Sequence, residues 1–160
     1  MMTIKVGDRL PTTTLVKVTT EGPEQVTTTD FFAGRRVVLF AVPGAFTPTC
    51  SAQHLPGFVS HADAVKAKGV DEIACTAVND VFVMKAWGQV HSSGAITMLA
   101  DGNADFAKAI GLTLDGTKFG MGVRSQRYTM LVDDGVVEQL FVEAPGEFKV
   151  SSAEHLLSAI

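Results

Sequence analysis

Cys50 closes the run Pro43-Gly44-Ala45-Phe46-Thr47-Pro48-Thr49-Cys50, which comes directly after the apolar stretch 37–42. A continuous apolar run of this length is expected to be a strand covered on both faces, and residues 43–50 beyond it read as a turn into a helix. A thiol in the first turn of a helix meets backbone N–H groups without intrahelical partners and the positive end of the macrodipole. Both favour the thiolate over the thiol. The chemistry this placement suits is nucleophilic attack by sulfur.

Other uses of a cysteine fit less well. A buried cysteine commonly serves as a small hydrophobe, but Thr47, Pro48, Thr49 and Ser51 are polar or turn-forming neighbours, not a core strand. Disulfide exchange wants Cys-x-x-Cys, and Thr47 holds the position a partner would take. Zinc could use Cys50 and His54 on one helix face, yet Cys75, His61, His91 and His155 supply no second paired motif. A Cys-His hydrolase needs an orienting group and an oxyanion hole, and spacing provides neither. His54 is therefore expected to be a structural hydrogen-bonding residue standing behind the reacting groups. Cys75 alternates within the apolar stretch 72–78 and is expected to pack inside the sheet. Arg127 opens a strand that continues through Met130 and Val132. At such a position a guanidinium is either solvated or aimed at the thiolate, lowering its pKa and donating to a polar substrate. Arg124 competes for the same role.

The elements that would carry these groups alternate. Segments 13–19 and 25–28 around Glu21-Gly22-Pro23 read as an N-terminal hairpin, and Asp30 is expected to cap a short helix around Phe31 and Phe32 that ends at Gly34. Strands are expected over 36–42, 72–78 and 96–100, with helices over 81–90 and 101–109. The helix after Cys50 is expected to be interrupted at Pro56-Gly57, resume at Phe58, and stop at Gly69. Residues 116–122 form a glycine-rich loop, Asp133-Asp134-Gly135 turns a hairpin between 127–132 and 136–143, and Ser151 or Ser152 caps a last helix through Leu157. This order predicts an α/β fold with a mixed central sheet, helices on both faces and an N-terminal hairpin extension, which is a thioredoxin-like architecture.

Composition narrows the class. At 160 residues, 46% hydrophobic and 19% charged, the chain is expected to be a single domain spanning residues 1–160. A net charge of −4 offers no broad basic field, so neither nucleic acid nor a membrane surface is an expected partner. The N-terminal residues lack the basic start and apolar core of a signal peptide, and two cysteines suit a reducing compartment. The expectation is a soluble cytoplasmic protein, although a removed presequence would leave no trace in these residues.

The pattern Pro43-x-x-x-Thr47-x-x-Cys50 resembles the peroxiredoxin active-site motif, and the string from Pro43 to Phe58 is similar to the peroxiredoxin-5, type II (atypical) subfamily of the AhpC/TSA superfamily. Val78-Asn79-Asp80, Phe82-Val83, Trp87-Gly88 and Arg124-x-x-Arg127-Tyr128 extend the resemblance over nearly the whole chain from Lys5 onward. It implies a thioredoxin fold, reduction of hydrogen peroxide and organic hydroperoxides, a homodimer, and no metal or organic cofactor. Carried over by position, Cys50 is the peroxidatic cysteine and Arg127 the activating arginine. Thr47 is the hydroxyl that bonds thiolate and peroxide, and Pro43 the residue shielding the thiolate from water. The departure is that residues 148–152 contain no resolving cysteine. The resemblance then implies a one-cysteine cycle resolved by an external thiol, glutathione with glutaredoxin or thioredoxin. The competing expectation is a redox sensor or thioredoxin-like interaction module, with Phe46, Phe82 and Phe119 as its contact surface, the alternatives for each being core or dimer interface.

Overall fold

The computed structural model describes residues 3–91 and 94–160, the side chain of Cys50 excepted. Nine strands run in chain order as β1 (Thr14–Thr19), β2 (Gly22–Thr27), β3 (Arg36–Ala41), β4 (Glu72–Ala77), β5 (Thr97–Ala100), β6 (Thr113–Asp115), β7 (Val123–Ser125), β8 (Tyr128–Asp133) and β9 (Val136–Val142) among the described residues. The helices are α1 (Thr28–Phe32), α2 (Leu55–Lys66), α3 (Val81–Val90), α4 (Asp105–Ile110) and α5 (Ala153–Ala159). Seven strands form one mixed sheet in the order β2-β1-β5-β4-β3-β8-β9, with β3, β4 and β5 parallel and the remaining pairs antiparallel.

The sheet is buried on both sides because its central strands carry apolar residues at consecutive positions. Val38, Phe40 and Val42 face Leu55, Phe58 and Val65 of α2, Met84 and Trp87 of α3, and Leu156 of α5. Val37, Leu39 and Ala41 face Phe31 and Phe32 of α1 and Phe106 and Ile110 of α4. The Phe40 and Phe58 rings stack at 4.2 Å between centroids, tying β3 to α2. Each such aromatic side chain contributes roughly 1.5–3 kcal/mol of burial free energy. The expected architecture of a mixed sheet with helices on both faces and an N-terminal hairpin is therefore observed.

Local chemistry shifts several boundaries. The first hairpin turns at Thr20 and Glu21, and Gly22 and Pro23 belong to β2, where Pro23 pairs with Val18. An edge strand tolerates that missing N–H. Thr27, not Asp30, caps α1, its hydroxyl accepting from the Asp30 N–H. The glycine-rich stretch is a short 3-10 turn, Thr117–Phe119, held between β6 and β7, which pair as a separate two-stranded ribbon.

The helix bearing Cys50 is not broken at Pro56. It runs from Pro48 to Lys66, with a π-helical turn over Cys50–His54 in between. A proline inside an α-helix lacks a donor and collides with the carbonyl four residues back. Widening the preceding turn removes that collision and leaves Pro56 in the first turn of α2, where no N–H is required.

Candidate active site

After β3 the chain bends at Pro43, and the Ala45 N–H donates to Asn79 Oδ1 at 2.9 Å, pinning the bend to the β4–α3 connection. Phe46 takes φ +66°, a left-handed conformation costly for a residue with a Cβ and stored here beside the helix start. A Cβ on Gly44 would stand 3.2 Å from Thr47 Cγ2, so a side chain there would crowd Thr47 and require it to shift by a few tenths of an ångström. The Thr47 carbonyl accepts from the Ser51 N–H at 2.9 Å, Pro48 opens the helix, and the backbone of Cys50 falls in the first turn. The side chain of Cys50 itself lies outside the described residues. Ser51 Oγ accepts from the Trp87 indole N–H at 3.0 Å, so α3 holds the turn from behind.

Thr47 Oγ1 donates to the Gly44 carbonyl at 2.6 Å. A hydroxyl donating there keeps its lone pairs for a further donor, and rotation about its C–O bond would turn the proton to another acceptor. The bonds to thiolate and peroxide expected of Thr47 involve the Cys50 side chain, which is outside the described residues.

Pro43 and Arg127 share the walls of one cavity of about 340 Å³ with Thr49, the β6 segment, Gln126 and residues 143–147. Thr47 is not part of that lining. Arg124 is turned elsewhere, its Nε donating to the Met121 carbonyl at 2.8 Å and its Nη1 to the Val78 carbonyl at 2.7 Å. It braces the 116–122 loop, which resolves the competition between the two arginines for the cavity in favour of Arg127.

A buried network fixes the Arg127 guanidinium. Its Nη1 donates to His54 Nδ1 at 2.9 Å, and His54 Nε2 lies 2.9 Å from the Ser151 carbonyl. Neither arginine nor a carbonyl leaves a choice of role, so Nε2 carries the proton and Nδ1 accepts. Both ring nitrogens are thereby engaged, leaving no lone pair for a metal. Burial, with the Arg127 charge second, pushes the His54 pKa down to about 3. The imidazole is neutral, as its acceptor role demands. His54 is the structural hydrogen-bonding residue expected from sequence.

Glu143 closes the network, and no sequence signal beyond a lone acid at the end of an apolar strand pointed to it. Its carboxylate accepts from the N–H groups of Lys149, Val150 and Ser151 and from Ser151 Oγ, all between 2.7 and 2.9 Å. Burial raises its pKa, but these hydrogen bonds together outweigh burial and hold it below the usual carboxylate range. The segment so held brings Phe148 within 5.1 Å of the His54 ring and 5.8 Å of the Arg127 guanidinium, centroid distances that suit a cation–π contact.

The buried imidazole makes stability depend on pH. Unfolded His54 takes a proton below about 6.5, whereas the folded residue does not until about 3, so stability is intact above 6.5 and lost as pH falls through that window. Between pH 7 and pH 5 this residue alone should lower the unfolding free energy by about 2 kcal/mol. Glu143, with its depressed folded pKa, adds a further loss only at lower pH, once the unfolded carboxyl begins to protonate. Urea titrations at the two pH values measure it, and equal midpoints would contradict a neutral buried His54.

Cys75 is fully buried on β4, in register with Phe40 and Met98, as expected of a packing residue. Phe46, Phe82 and Phe119 are all exposed, which removes the expectation that they are core.

Comparison with known proteins places this architecture. The family model described as Redoxin matches residues 5–157. Peroxiredoxin-2B of Arabidopsis thaliana is 46% identical, the alignment covering all of both chains. The chain belongs to the peroxiredoxins. The crystal structure of reduced Prx3 in complex with H2O2 from Vibrio vulnificus superimposes on this peroxiredoxin with a TM-score of 0.95 at 56% identity, covering 98% of each chain. That of peroxiredoxin 5 from Alvinella pompejana reaches 0.85 at 36%, covering 98% of this chain and 97% of the other. The fold of the peroxiredoxin is thus thioredoxin-like, and its activity is that of a thiol-dependent peroxidase with an antioxidant role.

Proposed function

We propose that this peroxiredoxin reduces hydrogen peroxide and organic hydroperoxides through a sulfenic acid on Cys50. The Cys50 thiolate attacks the terminal oxygen of ROOH; an S–O bond forms, the O–O bond breaks, and the departing RO⁻ takes a proton to leave as water or an alcohol. Arg127 donates to the peroxide and to the charge growing on the leaving oxygen. Thr47 accepts from the peroxide O–H, and Pro43 limits access of water to the sulfur.

The observation that carries this reading is the fixed guanidinium of Arg127 in a cavity it shares with Pro43 and Thr49, the residue before Cys50. A solvated arginine would have no need of a buried neutral imidazole to orient it. The Prx3 relative from Vibrio vulnificus, whose solved complex contains H2O2, supports the same assignment by similarity.

The cycle we propose is one-cysteine. Residues 148–152 hold no cysteine, and Cys75 is shut beneath α2 and α3, so an external thiol resolves the sulfenic acid: glutathione with glutaredoxin first, thioredoxin second. Exposed Phe46, Phe82 and Phe119 suit the interface of a homodimer. The cytoplasm is the proposed compartment. Intact mass spectrometry after one equivalent of H2O2 tests the chemistry: the protein should gain one oxygen, trappable by dimedone at Cys50. Unmodified Cys50 would refute it. Sustained turnover with a thiol reductant, as against a single stoichiometric burst, separates this enzyme from a redox sensor.

A further inference from the structure

Hydrogen peroxide is far smaller than the cavity beside Arg127. At about 340 Å³ it offers the room of roughly ten waters, each taking ~30 Å³ in the liquid, so most of it is available to a substituent on the peroxide. Leu114 and Pro145 give that space apolar walls, but the lining also includes Asp115, Glu143 and Glu147 against Arg127, its one cation among the described residues.

These carboxylates differ in what neutralises them. Glu143 is consumed by the backbone of residues 149–151 and stands in the same network as Arg127, so the two nearly cancel at a distance. Glu147 has an exposed partner, Lys149, at 3.2 Å. Such surface pairs neutralise incompletely. Asp115 has no ion pair among the described residues; it is exposed, and Thr117 hydrogen bonds, from side chain and backbone, keep its carboxyl below the ordinary range. It is an anion throughout the neutral range.

We infer that Asp115 and Glu147 make the cavity mouth a charge filter that selects uncharged alkyl and aryl hydroperoxides over those bearing a carboxylate. This rests on the peroxidase reading above. With the O–O bond at Cys50 and Arg127, a substituent directed outward would carry an anionic group toward Asp115, which has no ion pair among the described residues, and Glu147, which Lys149 offsets only in part. Unit charges 8–10 Å apart in a half-solvated mouth change an encounter by roughly two- to fivefold each. Salt at high concentration screens the effect.

The test compares kcat/KM for H2O2, cumene hydroperoxide and para-carboxy-cumene hydroperoxide at low ionic strength, in the native protein and in Asp115→Asn/Glu147→Gln. The asparagine keeps an oxygen for the Thr117 N–H. The neutral aryl peroxide should outpace its carboxylate by roughly five- to tenfold, and the double variant should shrink that ratio at least about threefold, as should added salt. A ratio identical in native and variant protein, or insensitive to salt, would overturn the filter. Failure of the native protein to react with any of the three peroxides would overturn the peroxidase reading, and this one with it.

Discussion

Cys50→Ser is expected to show no peroxidase activity above background with H2O2 or an organic hydroperoxide, a loss on the order of 10⁴-fold or more. A serine hydroxyl ionises so far above neutral pH that a helix N-terminus and one guanidinium, worth a few pKa units together, cannot supply an alkoxide. Oxygen is also a poor nucleophile toward the O–O bond, where thiolate sulfur is effective. The same fold surrounds either residue, so circular dichroism should be unchanged while turnover vanishes. Cys75→Ala is the paired experiment. That residue is fully buried within the sheet, away from the cavity lining. The one-cysteine cycle expects turnover with glutathione and glutaredoxin to survive in it, at some cost in stability from the cavity left behind. Loss of recycling in Cys75→Ala, with the first oxidation intact, would assign the resolving step to Cys75.

Features were legible in the sequence to the extent that their signals are local. The unbroken apolar run at 37–42 and the largely apolar stretch 73–77, broken only by Thr76, read as covered strands, and the Asp134-Gly135 step as a tight turn, both positions taking positive φ. The β6–β7 ribbon escaped notice because three-residue strands around a glycine-rich stretch carry no alternation long enough to count. Pro56 misled for a physical reason: a helix can keep its course past a proline by widening one turn, and that remedy leaves no mark in composition. The motif around Cys50 could be read because turn chemistry and the helix start are contiguous. The network behind Arg127 could not, since His54, Glu143 and Ser151 lie on three separate elements and meet only when the turn before α2, the end of β9 and the loop before α5 close over one another.

Arg127→Leu is expected to lower kcat/KM for H2O2 by about 10²–10³, and the way the loss divides tells what the guanidinium does. An unperturbed thiol of pKa ~8.5 is about 3% ionised at pH 7, so full ionisation can raise the rate at most ~30-fold, worth about 2 kcal/mol. Lowering the pKa also reduces intrinsic nucleophilicity, which makes even that an upper limit. A donor aimed at charge that grows only in the transition state is worth ~2.7–4 kcal/mol by itself. Alkylation of Cys50 by iodoacetamide senses the thiolate and has no O–O bond to polarise. In Arg127→Leu the alkylation rate at pH 7 should fall by no more than ~30-fold and recover at high pH, while peroxide reduction stays depressed at every pH. Arg127→Lys should fall between, since an ammonium keeps the charge but not the planar fork, which can bond His54 through one nitrogen and leave others for the proposed substrate. If alkylation and peroxide reduction instead declined in parallel across the pH range, Arg127 would act on the sulfur alone, and stabilisation of the leaving oxygen would have to come from the backbone N–H groups at the helix start.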